Sequence, residues 1–336
     1  MKMDAPVKDI IVVGAGPTGL ACAIEAEKHH LEYLVLEKGC LVNSLQHFPV
    51  QMTFFTTPEL LEIGRMPFSS AHEKPTRLEA LRYYRRVAQS YYLHIRLYET
   101  VIDLEGEDGN FLVKTIRKNR ENCTYQARKV VLATGYYDLP NPLNVSGENL
   151  PKVNHYYTEA HPYFDTDVAV IGGKNSAALA ALDLCRNGSR VTLIHRGPEL
   201  SPQIKYWIKP DLENRIKNGE ITAHFSTTVQ EIHPDHLVLK NAGGKSWEIP
   251  NDFVFALTGY RPDTPFFQSL GIEINPEDQK PTVNQGTFES NIPGIYLAGV
   301  VIAGKMTHEI FIENGRFHGE LIVRDICRRL NFAGQT

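Results

Sequence analysis

Two short glycine-rich strings could do chemistry in this chain. Gly14-Ala15-Gly16-Pro17-Thr18-Gly19 follows the apolar run Asp9-Ile10-Ile11-Val12-Val13, and Gly172-Gly173-Lys174-Asn175-Ser176-Ala177 follows Val168-Ala169-Val170-Ile171. Each lies between a strand-like run and an alanine-rich helical stretch, the context a dinucleotide-binding turn requires. The chemistry is phosphate recognition: Gly14 permits the tight turn, Gly16 lets backbone approach a pyrophosphate, and Gly19 lets helix and strand pack closely with the helix N-terminus facing the anion. Two such turns in one chain predict two bound nucleotides.

The ends of the following strands distinguish the two ligands. Tyr33-Leu34-Val35-Leu36 runs into Glu37 and Lys38, and a carboxylate about 20 residues past the turn accepts hydrogen bonds from a ribose diol. Arg190-Val191-Thr192-Leu193-Ile194 runs instead into His195-Arg196, where a cation can pair with a 2′-phosphate. The second turn therefore predicts NADPH rather than NADH. Lys174 stands where the middle glycine is usual, so the phosphates either sit slightly farther out or are met by its ammonium group. Glu199, three residues beyond Arg196, is the neighbour that could neutralise it.

Positioning these strings takes two α/β lobes, and 336 residues suit two lobes of about 150. The order of segments predicts a first domain over 1–150 and 282–336 interrupted by a second over 151–281. A tyrosine- and arginine-rich helix, Arg77 to Tyr92, and alternating strands precede Ala133-Thr134-Gly135, which closes the first lobe. Pro140, Pro142 and Pro151 mark a linker, and Thr258-Gly259 ends the last strand of the second lobe. The chain then returns through Gly294–Val300, with Gly299 in the closing turn, and a final helix is predicted from Glu309.

Composition excludes several classes. A formal charge of −4 offers no basic excess for nucleic acid, and no apolar run approaches the roughly 20 residues that span a bilayer. The N-terminal apolar stretch is a glycine-broken strand headed by Asp9 rather than a signal peptide, which places the chain in the cytoplasm. The five cysteines are scattered and never form a C-x-x-C pair, so neither a disulfide framework nor a zinc site is indicated. Cys22 and Cys185, among alanines, read as packing residues.

Taken together, the paired turns, Ala133–Gly135, the T-G-x-R-P-D at Thr258–Asp263 and the closing A-G segment resemble the thioredoxin-reductase-like flavoproteins with two dinucleotide-binding domains. Within them, Ile171–Ala177, Ser201–Trp207, Asn251–Tyr260 and Glu309–Gly319 resemble the bacillithiol disulfide reductase family, over nearly the whole chain. The resemblance implies two Rossmann-like, three-layer domains, the NADPH domain inserted into the FAD domain. It implies FAD on Gly14, Gly16, Pro17, Thr18, Gly19, Glu37, Lys38, Asn43, His47, Thr134, Gly135, Gly299 and Glu309. NADPH falls on Gly172–Ala177, His195, Arg196, Thr258 and Gly259, and hydride passes from NADPH to flavin to an acceptor. Asn43 to Phe48 and Thr53 to Thr57 are expected at the flavin ring, the aromatics otherwise filling space by packing. A homo-oligomer is implied.

Two departures bear on activity. The family's first turn reads G-x-G-P-C-G, with a redox thiol where this chain has Thr18, and a hydroxyl forms no disulfide. The C-x-x-C places of thioredoxin reductases fall on His155 and Thr158. The exit of electrons must then be flavin chemistry without an enzyme thiol, either direct reduction of a small disulfide or delivery to an electron-carrier protein such as a ferredoxin or flavodoxin. A flavin monooxygenase fingerprint, F-x-G-x-x-x-H, is not met: four places after Gly147 stands Pro151, and His155 comes eight places on. A non-enzymatic NADPH sensor is the alternative of a different kind. The second departure is Val300, where related flavoproteins carry an aspartate for the ribityl chain. Acid–base candidates are His308, Glu309, Glu313 and His318.

Overall fold

A computed structural model describes residues 6–333 and divides into two compact units. The first unit runs to Gln46, then over Met52–Leu139, and resumes at Arg261. The second comprises His47–Gln51 and Pro140–Tyr260.

The first unit opens with β1 (Lys8–Val13), α1 (Pro17–Lys28) and β2 (Tyr33–Glu37), and continues through two one-turn helices, α2 (Asn43–Gln46) and α3 (Pro58–Leu61). Next come α4 (Arg77–Ser90), β3 (Ile95–Leu97), β4 (Glu99–Glu107), β5 (Asn110–Arg117) and β6 (Asn122–Leu132). The helix predicted over Arg77 to Tyr92 thus forms as α4. It starts on a capping box: Thr76 accepts from the Glu79 amide while the Glu79 carboxylate accepts from the Thr76 amide. The sheet order is β3-β2-β1-β6-β5-β4. The long strand β6 serves two neighbours of opposite sense: its first half pairs antiparallel with β5 and its second half parallel with β1. Strand β1 is flanked on both sides, and its Ile10 to Val12 are fully buried, as a central parallel strand requires.

The second unit contains β7 (Val153–Asn154), β8 (Asp167–Ile171), α5 (Asn175–Arg186), β9 (Arg190–Ile194), α6 (Lys209–Lys217) and β10 (Ile221–His224). Strands β11 (Thr227–Ile232), β12 (His236–Asn241) and β13 (Ser246–Pro250) form a three-stranded antiparallel sheet, and β14 (Phe253–Ala256) returns to the parallel sheet in the order β10-β9-β8-β14-β7. Val229, Ile232, Leu237 and Leu239 of the small sheet pack against Ala169 and Ile171 of β8.

The chain comes back to the first unit at α7 (Thr264–Ser269), then β15 (Ile295–Leu297) parallel to β6, α8 (Ile312–Gly315) and α9 (His318–Ala333). The division therefore falls at 139/140 and 260/261 rather than at 150/151 and 281/282. The reason is packing: Phe266, Phe267, Ile272 and Ile274 join the first unit's core with Phe111 and Leu132, while Leu143, Val145 and Leu150 pack into the second unit. The predicted final helix is also displaced. Glu309 lies outside it, and Arg316 and Phe317 separate the one-turn α8 from α9.

Candidate functional site

At the head of α1 the three glycines have different physical causes. Gly14 sits at φ +108°, and a Cβ there would meet the Ala133 carbonyl oxygen at 2.4 Å, while a Cβ on Gly19 would meet the Gly14 oxygen at 2.0 Å. The chain itself demands both. A Cβ on Gly16 would meet nothing within 4 Å. That open space lies over a helix start with Pro17 at its first turn and no side-chain cap, so amides there are available to an anion. The Thr134 hydroxyl, beside Gly14, is buried with no partner, and the space beside Gly135 is open. Residues of this kind fit a dinucleotide pyrophosphate.

Glu37 is 6% exposed, and burial pushes its carboxyl above the usual range. Its two oxygens each accept a backbone amide at 2.8 Å, from Ala15 and Gly39, which clamps the turn to the end of β2 and leaves further lone pairs for a diol. Lys38 pairs with Asp138 at 3.0 Å. The Asn43 side-chain oxygen accepts from the Cys40 amide and thiol at 3.3 and 3.5 Å, so it organises the loop after β2. His47 falls in the other unit, in the short segment whose Val50 amide donates to the Thr158 carbonyl. The stretch from Asn43 to Phe48 is thereby shared between the two units. Phe54 is buried.

Thr18 stands in the first turn of α1, half-buried, between two glycines from the end of the chain. An ideal Cβ on Gly299 would lie 3.0 Å from its Oγ1, and one on Gly315 would lie 3.1 Å away. Gly299 has φ +81°, and its amide donates to His318 Nδ1 at 3.0 Å. His318 stacks on Phe288 with ring centroids 4.1 Å apart, and burial lowers its pKa to about 4. It is thus a neutral acceptor that fixes the Gly299 turn rather than an acid–base group. Neither the His318–Gly299 bond nor the approach of Gly315 to Thr18 was visible in sequence, because no periodicity links positions 18, 299 and 315. Glu309 forms an exposed ion pair with Lys280 at 2.7 Å.

Cys22, one turn beyond Thr18, is 1% exposed, and burial pushes its thiol up to about 12. It is a packing residue. Among the described residues no cluster of histidine, cysteine or carboxylate side chains could hold a metal, and no helix is long and apolar enough to cross a membrane.

In the second unit, a Cβ on Gly172 would meet the Leu257 oxygen at 2.6 Å and the Ala177 Cβ at 2.8 Å, so helix and strand pack as the third small residue of the turn allows. Lys174 is the exposed N-cap of α5, and Ser176 is exposed. The Asn175 amide group donates to the Gln203 carbonyl at 3.1 Å and its oxygen accepts from the Lys205 amide at 2.9 Å, which ties Ser201–Trp207 to the start of α5. The sequence placed a cation after β9, and the two candidates separate. His195 lies with its ring 2.1 Å from where a Gly173 Cβ would be, and burial, then Arg196, lowers its pKa. Its imidazole is a neutral packing plate, made possible by the missing side chain of Gly173. Arg196 is exposed and makes no ion pair with Glu199. The Thr258 hydroxyl donates to the Asn141 carbonyl at 2.5 Å, and the Asn141 amide donates to the Gly259 carbonyl at 2.9 Å, which ties the turn after β14 to the start of the unit.

Two parallel strand pairs, β1–β2 and β8–β9, each with a glycine turn leading into a helix, are the frame of a protein with two dinucleotide-binding units. Residues 11–299 match the model of the pyridine nucleotide-disulphide oxidoreductase family. The chain is 44% identical over 322 residues to the bacilliredoxin reductase Bdr of Bacillus subtilis (strain 168), covering 96% of this chain and 98% of that protein. The solved bacillithiol disulfide reductase Bdr (YpdA) from Bacillus cereus is 44% identical with a TM-score of 0.94, over 96% of this chain and 100% of that one. Its counterpart from Staphylococcus aureus is 40% identical with a TM-score of 0.92, over 97% and 99%. The chain belongs to the pyridine nucleotide-disulphide oxidoreductase family, within the group of these Bdr proteins. It is an oxidoreductase, and its cofactors are FAD and NADPH.

Proposed function

We propose that this chain reduces a low-molecular-weight disulfide of the bacillithiol disulfide type with NADPH, holding FAD in the first unit and NADPH in the second. The observation that carries the reading is the likeness at 44% identity across nearly the full length of both proteins to enzymes named for that substrate. The first unit takes the FAD pyrophosphate over Gly16 and the amides at the head of α1, and the ribose at Glu37. The second takes NADPH at Gly172–Ala177, with Lys174 near the phosphates and Arg196 pairing with the 2′-phosphate. Bound FAD supplies two-electron transfer between nicotinamide and acceptor. The homodimer or larger oligomer and the cytoplasmic location are part of the same reading.

Thr18 supports a second reading, in which the acceptor is an electron-carrier protein that needs no enzyme thiol. Anaerobic stopped-flow separates the two. NADPH should bleach the flavin, and bacillithiol disulfide should restore its colour. Recovery only on a ferredoxin or flavodoxin would overturn the disulfide assignment, and a flavin that NADPH does not bleach would leave a sensor.

A further inference from the structure

We propose that Lys205 is a second phosphate-binding cation of the NADPH site, carried on a strap over residues 201–207 that Asn175 ties to the start of α5. This rests on the placing of NADPH at Gly172–Ala177 proposed above.

The string Ser201–Trp207 lies outside the glycine turn in sequence, and the fold brings it there. Asn175 is the first residue of α5, and both ends of its side-chain amide are taken up by the strap: the nitrogen donates to the Gln203 carbonyl, and the oxygen accepts the Lys205 amide. The Lys205 carbonyl in turn accepts the Ile208 and Lys209 amides at 2.8 and 3.0 Å, at the start of α6. Lys205 is thereby fixed through both of its backbone groups between the starts of two helices. Ile204 and Ile208 are buried and anchor the strap on either side of it.

Between these anchors the strap faces solvent. Lys205 is exposed, and Tyr206 and Trp207 are 82% and 41% exposed, their rings edge to face with centroids 4.8 Å apart. The Lys205 ammonium lies 5.8 Å over the Trp207 ring. A cation on an exposed ring is held weakly, so a phosphate oxygen can draw it away.

Lys174 gives the reason for a second cation. As the exposed N-cap of α5 it keeps a pyrophosphate from the close approach to the helix amides that a glycine would allow. The helix dipole acts only over the first turn, so phosphates held farther out gain less from it. Charge-assisted hydrogen bonds from Lys174 and Lys205 make up the difference. The pyrophosphate is common to NADPH and NADH. Lys205 therefore sets the affinity for both, whereas Arg196 sets the difference between them.

The test titrates the FAD-loaded enzyme with NADP⁺ and with NAD⁺, which bind without reducing the flavin, and reads dissociation constants by calorimetry. Lys205→Met keeps the stem and removes the charge; it should weaken both nucleotides about tenfold, the value of one hydrogen bond to a charged group, and Lys205→Arg should restore them. Asn175→Ala should weaken both as well. The double variant should lose no more than Lys205→Met alone, because Asn175 acts through Lys205, and additive losses would overturn the tie. The chain has two tryptophans, and the other, Trp247, lies in β13. NADP⁺ should therefore change the emission of Trp247→Phe and leave that of Trp207→Phe unchanged. Unaltered affinities in Lys205→Met, or a loss confined to NADP⁺, overturn the proposal; if Arg196→Ala still shifts the NADP⁺ to NAD⁺ ratio, the NADPH site stands without Lys205. Affinities that neither Arg196→Ala nor Lys205→Met changes overturn both.

Discussion

His318 Nδ1 accepts the Gly299 amide, and this bond fixes the turn at Gly299, which lies beside Thr18 at the start of α1. The ring must be neutral at Nδ1 to accept, with its proton on Nε2.

Acid should therefore loosen the protein through His318. Its pKa is about 4 in the folded chain against an ordinary 6.5, so the native state binds fewer protons than the unfolded one between these values. Stability from this group is present above pH 6.5 and is lost as pH falls toward 4, on the order of 3 kcal/mol at full development. Urea unfolding between pH 4 and 7 measures it. His318→Asn, whose side-chain oxygen can take the place of Nδ1, should flatten the dependence while keeping flavin. His318→Leu leaves the Gly299 amide buried and unpaired, at a cost of about 1–3 kcal/mol. An unchanged pH dependence in the asparagine variant would rule the histidine out.

Gly16→Val should fold and lose its flavin. A Cβ there meets no protein atom, and the backbone lies at φ −71°, so the substitution strains nothing in the chain. It fills only the space over the helix start. Gly14→Ala, by contrast, sets a Cβ against the Ala133 oxygen at positive φ and should fail in folding. Flavin content after gel filtration, with circular dichroism, distinguishes the two; a fully yellow valine variant would take FAD away from this turn.

Arg196→Ala should raise the KM for NADPH far more than that for NADH. The exposed guanidinium has no partner among the described residues to lose, so the effect reads its pairing with the 2′-phosphate, roughly 1.5–3 kcal/mol or one to two decades. Equal effects on both nucleotides would sink the assignment. His195→Ala should not change this ratio, because its ring is neutral packing on Gly173.

Glu309→Gln should keep its flavin and its stability within about 1 kcal/mol, since the carboxylate is in an exposed pair with Lys280. Loss of flavin in this variant would restore Glu309 to the cofactor site.

The two nucleotide turns were legible in the sequence because they are local. A strand, a glycine turn and a helix are contiguous, and each glycine answers a contact within its own unit, as Gly19 does against Gly14. The acid at Glu37 and the cation at Arg196 were equally legible, since strand length fixes where such residues fall. Position alone could not separate Arg196 from its neighbour His195, whose ring folding lays against Gly173, where burial and then Arg196 lower its pKa. The one-turn α8 replaced a predicted continuous helix for a related reason: the amphipathic pattern of α9 begins at His318, and the residues before it bend to bring Gly315 to Thr18.

What the sequence determined by itself is therefore the pair of α/β units and their strand–glycine turn–helix segments, because short-range sterics and strand periodicity encode them. Only the tertiary structure decided the surroundings of Thr18. Gly299 and Gly315 approach it from the far end of the chain, with His318 fixing the Gly299 amide, through close contacts that depend on absent side chains and leave no periodic trace in the sequence.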